Sequence, residues 1–153
     1  MEYLRNLMVI LAIAAVATLT GDGVHGQTES APPWSFMRTL RVGDTSFKVA
    51  VADSADERMR GLSGLRRMEP NEGLYFVFPT PRPLTFWMKD MQFLLDIAWI
   101  DKHHRIIQIM ENVAPETFPA WLVSLQPAQY ALEINAGRAR ETDIEIGDVV
   151  TLQ

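Results

Sequence analysis

Five side chains in this sequence could do chemistry together: Arg60, Trp87, Lys89, Asp96 and Glu133. Asp96 lies in the apolar run FLLDIAWI and Glu133 in ALEIN, so each is a carboxylate inside a strand-like segment. A buried, unpaired carboxylate costs several kcal/mol or takes up a proton, so each needs a partner or a purpose. Trp87 and Lys89 are two residues apart, which puts them on one face if the stretch is a strand. One arrangement gathers all five around a pocket. There Trp87 stacks on a ring, Arg60 and Lys89 hold an anionic group, and Asp96 and Glu133 take hydroxyls. A second use makes Asp96 and Glu133 the general acid and base of a saccharide hydrolase, provided they face each other across roughly 5–10 Å. The structural alternative pairs Arg60 or Lys89 with Asp96 or Glu133 and buries Trp87 in the core. Loss of Asp96 destabilises the protein in every one of these cases.

Other chemistries find little support. The chain has no cysteine, which excludes disulfides, a thiolate nucleophile and a Cys-ligated metal. His103 and His104 are adjacent at an expected turn, where two rings rarely reach one ion, and His25 lies in the N-terminal leader. Ser63 sits in RGLSG, which lacks the G-x-S-x-G spacing of a nucleophile elbow, so it reads as a turn residue. The methionines make a poor copper site without Cys or clustered His. No metal and no cofactor is expected.

The elements that must position these residues read mostly as short strands. Gly73 to Phe78 alternates Leu74, Phe76 and Phe78 against Tyr75 and Val77. Thr85 to Lys89 alternates in the same way. Phe93 to Ile100 is apolar on both faces except at Asp96, the pattern of a strand covered on both sides. Phe36–Val42 and Thr45–Val51 flank Gly43-Asp44 as a hairpin, with Phe47, Val49 and Val51 on its buried face. Ser54-Ala55-Asp56-Glu57 is a capping box, which predicts a two-turn helix that runs through Arg60 and stops at Gly61. Ile106–Val113, Gln129–Ile134 and Val149–Leu152 are further strands. Pro115, Pro119 and Pro127 mark an irregular stretch over residues 114–126, and a short helical turn follows Ala136-Gly137. These signals predict a mainly β fold: one small β-sandwich or jelly-roll-like barrel of about seven to eight mostly antiparallel strands with one short helix.

Residues 1–26 read as a signal peptide or an N-terminal anchor: Arg5, then the apolar run Leu7 to Leu19, then the small-x-small step Val24-His25-Gly26. Residues 27–35, with Pro32 and Pro33, form a linker, and residues 36–153 a single domain. Cleavage after Gly26 would leave 127 residues, enough for one core, with thirteen basic and seventeen acidic side chains, a charge of −4. That balance argues against a nucleic-acid partner. The expected location is exported, periplasmic or secreted, or else anchored to the membrane by residues 7–19.

Beyond these local signals, an ordered set of motifs spans the chain: RGLSG (60–64), NEGLYFVF (71–78), FWMKDM (86–91), Leu95-Asp96-Ile97, ENVAPET (111–117), LEINAG (132–137) and IGD (146–148). In this order they resemble the domain-of-unknown-function 192 family over about residues 36–153. The resemblance implies a small, often exported, mostly antiparallel β-sandwich of jelly-roll type, and it implies no biochemical activity. Two positions depart from the family pattern: Leu65 stands where many members have Arg, with Arg66 next to it, and Leu94 where many have Pro. The expectation for function is a non-enzymatic exported β-domain that binds a small polar or anionic ligand, or an envelope or protein partner, around Arg60, Trp87, Lys89, Asp96 and Glu133. The alternatives are the saccharide hydrolase acting through Asp96 and Glu133 and a purely structural or accessory domain.

Overall fold

The computed structural model describes residues 37–153. The leader, the linker and Phe36 lie outside the described residues. Arg38–Val42 (β1) and Thr45–Ala52 (β2) form the expected hairpin, turning at Gly43 with φ 56°, a conformation glycine adopts without a Cβ clash. The capping box also forms. Ser54 Oγ accepts from the Glu57 amide at 3.2 Å, and Glu57 Oε2 accepts from the Ser54 amide at 3.0 Å, opening the helix Ala55–Arg60 (α1), which ends at Gly61.

The chain then returns as Glu72–Arg82 (β3), parallel to β2. A parallel neighbour needs a crossover, and α1 with its following loop supplies it. Thr85–Phe86 (β4), Leu95–Ile100 (β5), Ile106–Val113 (β6), Leu122–Val123 (β7) and Ala128–Asn135 (β8) follow. The helical turn Arg138–Glu141 (α2) and Val150–Leu152 (β9) complete the described chain.

Seven strands form one curled sheet in the order β6-β5-β8-β3-β2-β1-β9, while β4 and β7 pair separately. The curl brings the two edges together at one end. Arg105 bridges Val149, Val150 N–H donates to His104 O at 2.8 Å, and Gly147 N–H donates to Ile106 O at 2.8 Å. The result is a mainly β half-barrel. Each sheet face carries its own apolar cluster. Leu40, Phe47, Tyr75, Ile100 and Leu132 mark the first, and Leu74, Phe76, Ile97, Trp99 and Ala131 the second. All six residues of β5 are buried because both faces are covered. The β4–β7 pair closes over the second cluster, tied by Leu84 N–H to Ser124 Oγ at 2.8 Å and Ser124 N–H to Leu84 O at 2.9 Å.

Three local expectations change. The strand expected over 85–89 stops at Phe86, so Trp87 and Lys89 sit in the turn that follows. Ser63 Oγ pins that turn by donating to Lys89 O at 2.8 Å, and Gly64 N–H by donating to Asp90 O at 2.9 Å. Val51 is only half-buried, whereas Ala50 and Ala52 are buried. The cover changes faces after Val49: Phe47 and Val49 belong to one apolar cluster, whereas Ala50 and Ala52 belong to the cluster on the other face. Finally, β3 runs on through Pro79 and Pro81, where its register with β8 shifts between Val77 and Arg82. Proline donates no ladder bond and is tolerated at such an irregularity.

Candidate functional site

A cleft of about 330 Å³ opens on the second face, between α1, β3, the β4 turn and the loop that carries Trp121. Its inner wall is carbon: Leu62, Phe76, Phe78 and Phe86 are all buried. The rings interlock edge to face, with centroids 4.9 Å apart for Phe76–Phe86 and 6.4 Å for Phe78–Phe86. Trp87 and Trp121 stack at 4.9 Å and 25° along one side.

The rim is cationic. Arg58 and Arg60 project from α1 and Arg82 from the end of β3. Arg58 is held in place: its Nη1 donates to Asp53 O and, at 2.8 Å, to Val77 O, and its guanidinium lies 5.2 Å from the Phe78 ring centre. Arg82 reaches the same ring at 5.5 Å. Among the described residues, no carboxylate forms an ion pair with Arg58, Arg60 or Arg82; the ion pairs there are Arg138–Glu141 and Arg140–Glu111.

Glu133 lies at the floor. It faces the cleft from β8, between Leu74 and Ile97 on the flanking strands, and is 5% exposed. No hydrogen-bond donor among the described residues reaches its carboxyl. Burial pushes its pKa up to about 8, so at neutral pH it is mostly the neutral acid, which can donate as well as accept. Among the described residues Glu133 is also the single carboxylate that lines the cleft.

The structure therefore brings together Arg60, Trp87 and Glu133. Lys89 is exposed and stands outside the lining, its Nζ 5.9 Å from the Trp87 ring centre. Asp96 is elsewhere. In the β5–β8 ladder Asp96 is opposite Ile134, and Ile97 is opposite Glu133. Directly opposed residues share a face and successive residues alternate, so the two carboxylates point to opposite sides of the sheet. Asp96 Oδ1 accepts from Asn112 N–H at 2.8 Å and Oδ2 from Ala139 N–H at 2.9 Å, which ties β6 and α2 to β5. Asp96 does not line this cleft, and the acid–base pair expected of a saccharide hydrolase does not form there. The expected ion pairs of Arg60 or Lys89 with these carboxylates are also absent among the described residues.

Sequence reasoning missed Arg58, Arg82 and Trp121. Arg58 carries no distinguishing signal beside Arg60, Arg82 lies past Phe78, where the alternating run ends, and Trp121 comes from an irregular segment that meets Trp87 across a long stretch of chain. No group of three or more His, Asp or Glu that could hold a metal ion occurs among the described residues.

Fold and site together define a small, mainly β domain with an aromatic cleft, an arginine rim and a buried acid at its floor. The chain belongs to the DUF192 family, described as an uncharacterized ACR, whose pattern matches residues 38–152. Two crystal structures share the fold. One, a candidate transcription regulator from Sinorhizobium meliloti, is 29% identical with a TM-score of 0.74 and covers 80% of this chain and 98% of its own. The other, a protein of unknown function from Novosphingobium aromaticivorans, is 28% identical with a TM-score of 0.73 and covers 80% and 94%. No curated protein matches the chain.

Proposed function

We propose that this protein is an exported, non-enzymatic β-domain that binds a small polar or anionic ligand in the cleft above Glu133. The observation that carries this reading is the Glu133 carboxyl, which no donor among the described residues reaches, beneath three arginines that no carboxylate among the described residues pairs with. A buried polar group without a partner and a cluster of like charges both cost stability, and one ligand relieves both. Trp87 and Trp121 supply a stacking wall, and Lys89, resting on Trp87, adds positive charge beside the mouth. The apolar run Leu7 to Leu19 behind Arg5 supports export. A two-carboxylate hydrolase is not adopted, since among the described residues the cleft holds one acid, Glu133. The regulatory assignment of the S. meliloti neighbour would imply DNA, but a net charge of −5 opposes a phosphate backbone.

A thermal-shift screen of the full chain tests this, using small carboxylates, sugars and cell-wall fragments. A ligand of the cleft raises the Tm of wild type and raises that of Arg60→Ala less, because binding stabilises only the state that holds the ligand. A screen in which no compound shifts wild type overturns the reading and favours a protein partner.

A further inference from the structure

We propose that the ligand of this cleft is a planar aromatic carboxylate carrying a hydroxyl at the end remote from its carboxylate. This rests on the ligand-binding reading above and names the chemistry that the walls, rim and floor select in turn.

The walls select a ring. An apolar cavity of about 150 Å³ holds one benzene, so about 330 Å³ holds one ring with a short planar extension. The Phe76, Phe78 and Phe86 rings already pack edge to face, and an aromatic ligand continues that packing. A sugar fits the volume but not the chemistry. Its several hydroxyls need several neutral polar partners. Among the described lining residues, apart from the arginines, Glu133 and the two indole N–H groups, the polar side chains are Ser63 and Thr85, and Ser63 Oγ already donates to Lys89 O.

The rim selects the anion. Arg58 is fixed by two backbone carbonyls and the Phe78 ring, and Arg82 converges on that ring, so the guanidiniums are oriented before any ligand arrives. A planar fork matches a carboxylate in two parallel hydrogen bonds. The floor selects the second group. An apolar ligand end would leave the Glu133 carboxyl unpaired, whereas a hydroxyl both accepts from it and donates to it. A site that hydrogen-bonds a ligand hydroxyl discriminates strongly against the analogue that lacks it.

The test is isothermal titration of the full chain with 4-hydroxycinnamate, cinnamate and glucuronate, backed by Trp fluorescence from Trp87 and Trp121. The expected result is that 4-hydroxycinnamate binds at least ten-fold more tightly than cinnamate. Glu133→Leu, which removes an unpaired buried acid and keeps the fold, erases that preference, and Glu133→Gln retains most of it. Arg82→Ala weakens both acids by the same factor. Equal binding of the two acids, or a preference that survives Glu133→Leu, overturns the proposal. Binding of glucuronate with both aromatic acids silent overturns it too, while leaving the cleft as a ligand site. Silence of all three probes overturns it as well; a silent wider screen would then remove the ligand-binding reading itself.

Discussion

Asp96 and Glu133 lie on adjacent strands one register step apart, yet they face opposite sides of the sheet. Asp96 accepts two backbone N–H groups from distant segments, and the Glu133 carboxyl accepts none from the described residues. Two carboxylates with the same sequence signature therefore do different work: one fastens α2 and β6, and the other waits at the floor of a cleft.

The first prediction concerns Asp96. Asp96→Ala leaves the buried amide of Ala139 and the part-buried amide of Asn112 without their acceptors; an unsatisfied donor costs about 1–3 kcal/mol when buried and less where water reaches it. Urea unfolding should show a loss of about 2–4 kcal/mol, and Asp96→Asn, which keeps one acceptor oxygen, roughly half of that. Ligand binding at the cleft, measured well below the unfolding midpoint, should be unchanged, because Asp96 is on the other face.

Glu133 makes stability fall as pH rises. Burial lifts its folded pKa from 4.5 to about 8, so between those values the folded state holds a proton that the unfolded state has lost. The contribution is full below pH 4.5, is lost progressively up to about pH 8, and is level above that. Glu133→Gln cannot ionise. Its advantage over wild type should be small at pH 4 and grow to a few kcal/mol by pH 9, followed by denaturant titration at each pH. An advantage independent of pH would mean that the carboxyl does not titrate in this window.

Gly73 sets the spacing between β3 and β8 beside Glu133. A Cβ there would stand 2.8 Å from Glu133 O and 3.1 Å from Ile134 Cγ2. Backbone cannot swing away as a side-chain tip can, so Gly73→Ala should cost about 1–3 kcal/mol. Thermal unfolding reads the loss, and a Tm equal to wild type would contradict the close approach.

The capping box anchors the helix that carries two of the rim arginines. Ser54→Ala removes the acceptor for the Glu57 amide and the Oγ–Oε2 bond of 2.7 Å. The expected loss is about 1 kcal/mol in chemical denaturation, while Ser54→Asp should keep most of the stability.

Local physics wrote several elements plainly into the sequence. The Gly43-Asp44 turn, the Ser54–Glu57 box and the two-faced apolar run around Asp96 depend on residues close in the chain, and each formed at its expected place within a residue or two. The mainly β class followed from those short periodic runs. The overreach was also local. Thr85 to Lys89 alternates like a strand, but β7 pairs only with its first two residues, and the remainder is held as a turn by Ser63 and Gly64.

The site needed the tertiary structure. Which face Glu133 or Asp96 takes depends on the register between β5 and β8, strands far apart in the chain, and a one-residue slip would exchange their surroundings. Arg58, Arg82 and Trp121 meet only when α1, the end of β3 and the loop before β7 fold over the same sheet face. The sequence by itself determined that two carboxylates would be buried. Only the register of β5 against β8 decided that one would be satisfied by backbone amides and the other would face the aromatic cleft.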